Sequence, residues 1–69
     1  MHKYEIILYW SGADNAYIAE VPELAGCMSD GKTLREVIEN IEAVMREWIE
    51  CAVEDGEEIP EPKGRLMYA

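Results

Sequence analysis

The first twenty positions of the chain carry a two-residue period of apolar side chains, which gives way to a helical period after residue 33. In residues 3–11, Lys-Tyr-Glu-Ile-Ile-Leu-Tyr-Trp-Ser, Tyr4, Ile6, Leu8 and Trp10 share one face, and Glu5, Ile7 and Tyr9 share the other. The stretch is rich in β-formers, so it predicts a first strand. Gly12, Ala13, Asp14 and Asn15 are turn residues, and residues 16–21 resume the extended pattern until Pro22, which has no N–H to donate. A slip of one residue would turn every side chain of the second strand over, which makes the loop length testable. If residues 12–15 form the loop, Ser11 pairs with Ala16, Tyr9 with Ile18 and Ile7 with Glu20. Tyr17, Ala19 and Val21 then join Tyr4, Ile6, Leu8 and Trp10 on one strongly apolar face, whereas a three-residue loop mixes the faces.

Residues 22–26 read as a connection, and Cys27-Met28-Ser29 as a short third strand closed by a turn at Asp30-Gly31. Thr33 followed three residues later by Glu36 is a capping box: the hydroxyl accepts a helix N–H, and the carboxylate reaches back to the cap residue's own N–H. From Leu34 the apolar positions Val37, Ile38, Ile41, Val44, Met45, Trp48, Ile49, Ala52 and Val53 follow a helical stripe. Gly56 suits a left-handed cap, and Pro60 and Pro62 forbid continuation, so the helix is expected over residues 34–55, roughly 33 Å long at 1.5 Å per residue. Residues 63–69 are read either as a short fourth edge strand or as a frayed end.

The predicted fold is α+β, a three-stranded antiparallel sheet backed by one long helix, in a single domain over residues 1–69. The helix is expected to cover the Tyr4, Ile6, Leu8, Trp10, Tyr17, Ala19 and Val21 face through Ile41, Val44, Trp48 and Ile49. The opposite face carries Ile7, Tyr9, Ala16 and Ile18 beside Glu5 and Glu20. A patch of that kind left open on a small domain points to a protein interface. Ile7, Tyr9 and Ile18 are therefore the expected self-association residues and the chain a homo-oligomer, the more so because a domain of this size is marginally stable alone.

Fifteen acidic against six basic residues give a formal net charge of −9, a field that repels nucleic-acid phosphates and anionic lipids and attracts basic partners. His2 is the one histidine and sits at the N-terminus, so no nucleophile, base and orienting group stand together, and neither an enzymatic activity nor a cofactor is expected. Cys27 and Cys51 lack the spacing of a zinc or redox motif and read as small buried hydrophobes. Glu5 and Glu20 are diagonal neighbours on one face and could share a divalent metal, but a metal-dependent nuclease needs more converging acids and a path for a polyanion, so two solvated carboxylates are the simpler reading. No apolar run approaches the ~20 residues of a membrane span, and there is no signal-peptide core, so a cytoplasmic location is expected.

Several segments taken together resemble the HicB-like antitoxin domain. They are Lys3-Tyr4-Glu5-Ile6-Ile7-Leu8-Tyr9-Trp10; Ala19-Glu20-Val21-Pro22-Glu23-Leu24-Ala25-Gly26-Cys27; Gly31-Lys32-Thr33-Leu34-Arg35-Glu36; Asn40-Ile41-Glu42-Ala43 with Trp48; and Gly56-Glu57-Glu58-Ile59-Pro60-Glu61-Pro62. They occur in the family's order over residues 3–62, and their combination carries the specificity. The resemblance implies a partial RNase H-like fold without the nuclease's acids, and a partner of the HicA kind: a small basic RNA-cleaving toxin with a catalytic histidine, neutralised by masking of its RNA-binding face. Complementary charge speeds such an encounter, and Glu20, Glu23 and Asp30, flanking the open sheet face and its loops, are the candidate partner-binding residues. Longer antitoxins of this kind add a C-terminal DNA-binding segment for which no room is seen before Ala69, so direct DNA binding is not expected. The alternative is an oligomeric domain that binds another protein or a small ligand, with no toxin.

Overall fold

A computed structural model of the protein describes residues 4–61. Three strands, β1 (Ile7–Ser11), β2 (Ala16–Glu20) and β3 (Met28–Gly31), precede one helix, α1 (Leu34–Glu54). The sheet is an antiparallel meander in the order β1-β2-β3, with β2 in the centre. Its first register is the one that the faces require: Ser11 opposite Ala16, Tyr9 opposite Ile18 and Ile7 opposite Glu20. The four-residue loop is tied by the Ser11 hydroxyl, which donates to Asp14 Oδ2 at 2.9 Å and accepts the Asp14 N–H at 3.2 Å. Asn15 takes the left-handed conformation at φ 52° that returns the chain to β2.

β3 departs from expectation. Asp30 and Gly31 do not form a turn; they continue the strand, opposite Ile18 and Tyr17, while Cys27 lies before it. Gly31 also seats the helix. A Cβ built there would lie 2.6 Å from the Val37 backbone N and 2.9 Å from its Cα, so only glycine lets α1 approach β3 so closely. The Ser29 hydroxyl, donating to the Val37 carbonyl at 3.3 Å, holds the same contact.

The capping box forms with one shift. Thr33 Oγ1 accepts the Glu36 N–H at 3.0 Å, but the Glu36 carboxylate accepts the N–H of Lys32, at 2.8 Å, one residue beyond the cap. At the other end Gly56 is left-handed at φ 73°, its N–H donates to the Val53 carbonyl, and the Glu57 N–H donates to the Ala52 carbonyl, the paired bonds of a Schellman cap. Thr33→Ala is expected to lower stability by about 1 kcal/mol. A urea midpoint unchanged from wild type would place the start of the helix elsewhere.

The core lies between the helix and the sheet and is built from Tyr4, Ala19, Val21, Leu24, Cys27, Val37, Ile41 and Met45. The buried stripe of the helix is Val37, Ile41, Met45 and Ala52, while Val44, Trp48 and Ile49, expected at its centre, are half-buried flanks. Leu24, in the connection after β2, is among the most buried side chains of the protein. The helix packs on β3 and β2 and does not reach β1, so Leu8 and Trp10, expected beneath it, stay exposed at 39 % and 51 %. A helix about 10–12 Å across spans roughly two strand spacings of about 4.8 Å, and its seat on Gly31 commits it to the β3 side. Trp10 packs edge-on against Tyr17 instead, ring centroids 5.0 Å apart. After the helix the chain returns to the start of β1: Ile59 packs on the core and the Tyr4 hydroxyl donates to the Pro60 carbonyl. Residues 63–69, the candidate fourth strand, lie outside the described residues.

Candidate protein-binding face

Strand pairing arranges the side of the sheet away from the helix into rows. Ile7, Glu20 and Met28 form one row across all three strands, and Tyr9, Ile18 and Asp30 the next. Five of the six residues singled out from the sequence, Ile7, Tyr9, Ile18, Glu20 and Asp30, thus share a face, although they come from three separate segments. Ile7, Tyr9 and Met28 are 45 %, 43 % and 51 % exposed. Ile18, expected in the open patch, is buried at 8 %: it stands on the central strand between Tyr9 and Asp30, whose side chains project from the same side. Met28, which the sequence reading did not single out, fills out the exposed surface. Strict alternation along Cys27-Met28-Ser29-Asp30 would have found it.

The acids are placed differently from one another. Glu20 is half-buried, and its Oε2 accepts the Tyr9 hydroxyl at 2.7 Å, so the carboxylate is oriented within the apolar patch. Asp30 is exposed on the β3 edge, and its backbone carbonyl accepts from Asn40 Nδ2 at 2.8 Å, which ties that edge to the helix. Glu23 lies apart from the rows, in the connection after β2, where its Oε1 accepts the Glu5 N–H at 3.3 Å and fastens the connection to the chain entering β1. Cys27 is buried and Cys51 exposed, so only the first is the buried hydrophobe expected of both. Among the described residues no three His, Cys, Asp or Glu side chains converge on a possible metal position. Among the same residues no helix is long and apolar enough to cross a membrane.

Two phenols, those of Tyr4 and Tyr9, titrate late. The hydrogen bond to Glu20, chiefly, holds Tyr9 above the usual tyrosine value of 10.0, and burial, followed by the Glu23 and Glu61 carboxylates, does the same for Tyr4. A folded pKa above the unfolded one means stability that is complete below pH 10 and lost as pH rises through the folded values. Melting temperature is therefore expected to hold up to about pH 10 and to fall above it, with part of the fall absent in Tyr4→Phe. An alkaline profile identical in the variant would remove Tyr4 from that account.

Fold and surface together define an acidic α+β domain of three strands and one helix, with an open sheet face in which apolar side chains surround carboxylates. The chain belongs to the HicB-like antitoxin family of bacterial toxin–antitoxin systems, whose family model matches residues 4–67. It is 35 % identical over 57 residues to a UPF0150 protein of Synechocystis, covering 83 % of this chain and 77 % of that one. It is also 38 % identical over 58 residues to a UPF0150 protein of Thermoplasma acidophilum, covering 84 % and 83 %. A 14.9 kDa protein of Haemophilus phage HP1 is 38 % identical over 55 residues, 80 % of this chain but 41 % of the phage protein. No solved structure matches the chain. Family membership points to a toxin–antitoxin role, with a toxin as the general kind of partner and a non-enzymatic part for this chain.

Proposed function

We propose that this protein neutralises a small, basic, RNA-cleaving toxin of the HicA kind by laying its open sheet face over the toxin's RNA-binding surface. The observation that carries the reading is the Ile7–Glu20–Met28 row: two exposed apolar side chains bracket an oriented carboxylate on the central strand. Apolar contact of that kind supplies burial, while the carboxylates of Glu20 and Asp30 and the net charge of −9 complement a surface made to hold phosphates. Glu23 acts at the margin of this surface. The test adds the protein to purified toxin and follows RNA cleavage; cleavage that continues at stoichiometric excess rejects the reading.

Charge should show first in the rate of association. The Debye length falls from ~10 Å at 0.1 M salt to ~3 Å at 1 M, so binding is expected to slow markedly across that range while the apolar contact keeps the complex from vanishing. Glu20→Lys with Glu23→Lys should slow it further at low salt. An association rate independent of both salt and these reversals would remove electrostatic steering from the mechanism.

Self-association is the second reading, favoured by the exposure of Ile7 and Tyr9. In this reading the same face joins copies of the chain when no toxin is present, with Met28 in the exposed place expected of Ile18. Sedimentation at micromolar concentration should show a dimer or a larger species, and a clean monomer overturns it.

A further inference from the structure

On the helix side of the sheet, away from the open face, an open groove of about 460 Å³ runs between the C-terminal half of α1 and the connection after β2. Its floor is Val44, Trp48 and Ala52, half-buried or buried, and its rim is the exposed carboxylates of Glu47, Asp55 and Glu57. Trp48 is fixed there because its Nε1–H donates to the Ala25 carbonyl at 2.9 Å, pinning the indole across the gap between helix and connection. No basic side chain lines the groove among the described residues, and the last turn of the helix holds none either. A helix C-terminus carries the negative end of the macrodipole and is ordinarily matched with Lys, Arg or His. Here acids stand in those places, so dipole and carboxylates add at one end of an apolar trough.

We infer that this groove takes an arginine side chain from a basic segment of a partner protein. The side chain's apolar stem suits Val44 and Ala52. Its planar guanidinium can lie over a pinned indole and fork toward carboxylates, a combination that a compact ammonium matches less well. The inference does not rest on the toxin reading, since the groove is separate from the open face and its binding is measured without a toxin.

The test uses the full chain as Trp10→Phe, which leaves Trp48 as the one indole. A short blocked peptide carrying two arginines is titrated against Trp48 emission, with the same peptide bearing glutamines as control. A saturable emission change with the arginine peptide alone is expected, together with slower alkylation of Cys51. That thiol is exposed in the groove wall, while Cys27 is buried and silent. Glu47→Gln with Asp55→Asn and Glu57→Gln, all at exposed positions, should weaken binding about tenfold without lowering the melting temperature. An equal response to the glutamine peptide, no saturable response, or undiminished binding by the triple variant overturns the proposal.

Discussion

Gly31→Ala is expected to destabilise the protein by about 3 kcal/mol, the upper end of what an added methyl costs in a packed site. The atoms that its Cβ would meet are the Val37 backbone N at 2.6 Å and Cα at 2.9 Å. Backbone in the first turns of a helix cannot swing aside as a side chain does, so relief requires α1 to lift from β3. That movement would open the core at Val37 and Ile41, both fully buried, and stretch the Ser29–Val37 bond. A domain of this length has a total stability of only several kcal/mol, so the loss removes a large share of it and should move the urea midpoint far down. Gly12→Ala is the control: a Cβ there meets nothing within 4 Å. Urea unfolding compares the two variants, and coincident midpoints would show that the close approach at Gly31 does not seat the helix.

Ile7→Lys combined with Met28→Lys is expected to weaken toxin neutralisation roughly a hundredfold while leaving the fold intact. Both side chains are about half exposed, and substitutions at such places away from special backbone geometry usually change stability by no more than about 0.5 kcal/mol. Their neighbours across the sheet place both lysines beside Glu20, turning a row with one negative charge into one with a net positive charge. A basic partner then meets repulsion and loses two apolar contacts, a combined loss of about 3 kcal/mol or roughly a hundredfold in affinity. The measurement is RNA cleavage with increasing antitoxin, alongside a melt to confirm folding. Protection by the double variant at the same dose as wild type would move the toxin's docking site off this face.

Much of the fold was legible because its signals are local. The period-two run through Trp10, the turn residues 12–15 and the demand that apolar side chains share a face set the hairpin and its register. Thr33, Glu36 and Gly56 marked the helix ends through their own capping bonds. The open face was legible for the same reason: once the register is known, the parity of Ile7, Tyr9, Ile18 and Glu20 follows. The sequence did not reveal how far the helix would reach. Alternation assigns Leu8 and Trp10 to the helix side of the sheet, but it cannot say which strands a single helix covers.

What the sequence by itself determined, then, is the order of the elements, the ends of the helix, the register of the hairpin and the excess of acid. Only the tertiary structure decided that α1 rests on β3 and β2, that Ile18 is shielded while Met28 is not, and that Glu23 serves the connection beside Glu5. It also decided that Trp48 and three acids meet in a groove at the end of the helix. The reason is physical: hydrogen-bonded periodicity and capping act over a few residues, whereas the placement of a helix on a sheet depends on which backbones can approach. Here that is settled by one missing Cβ, at Gly31.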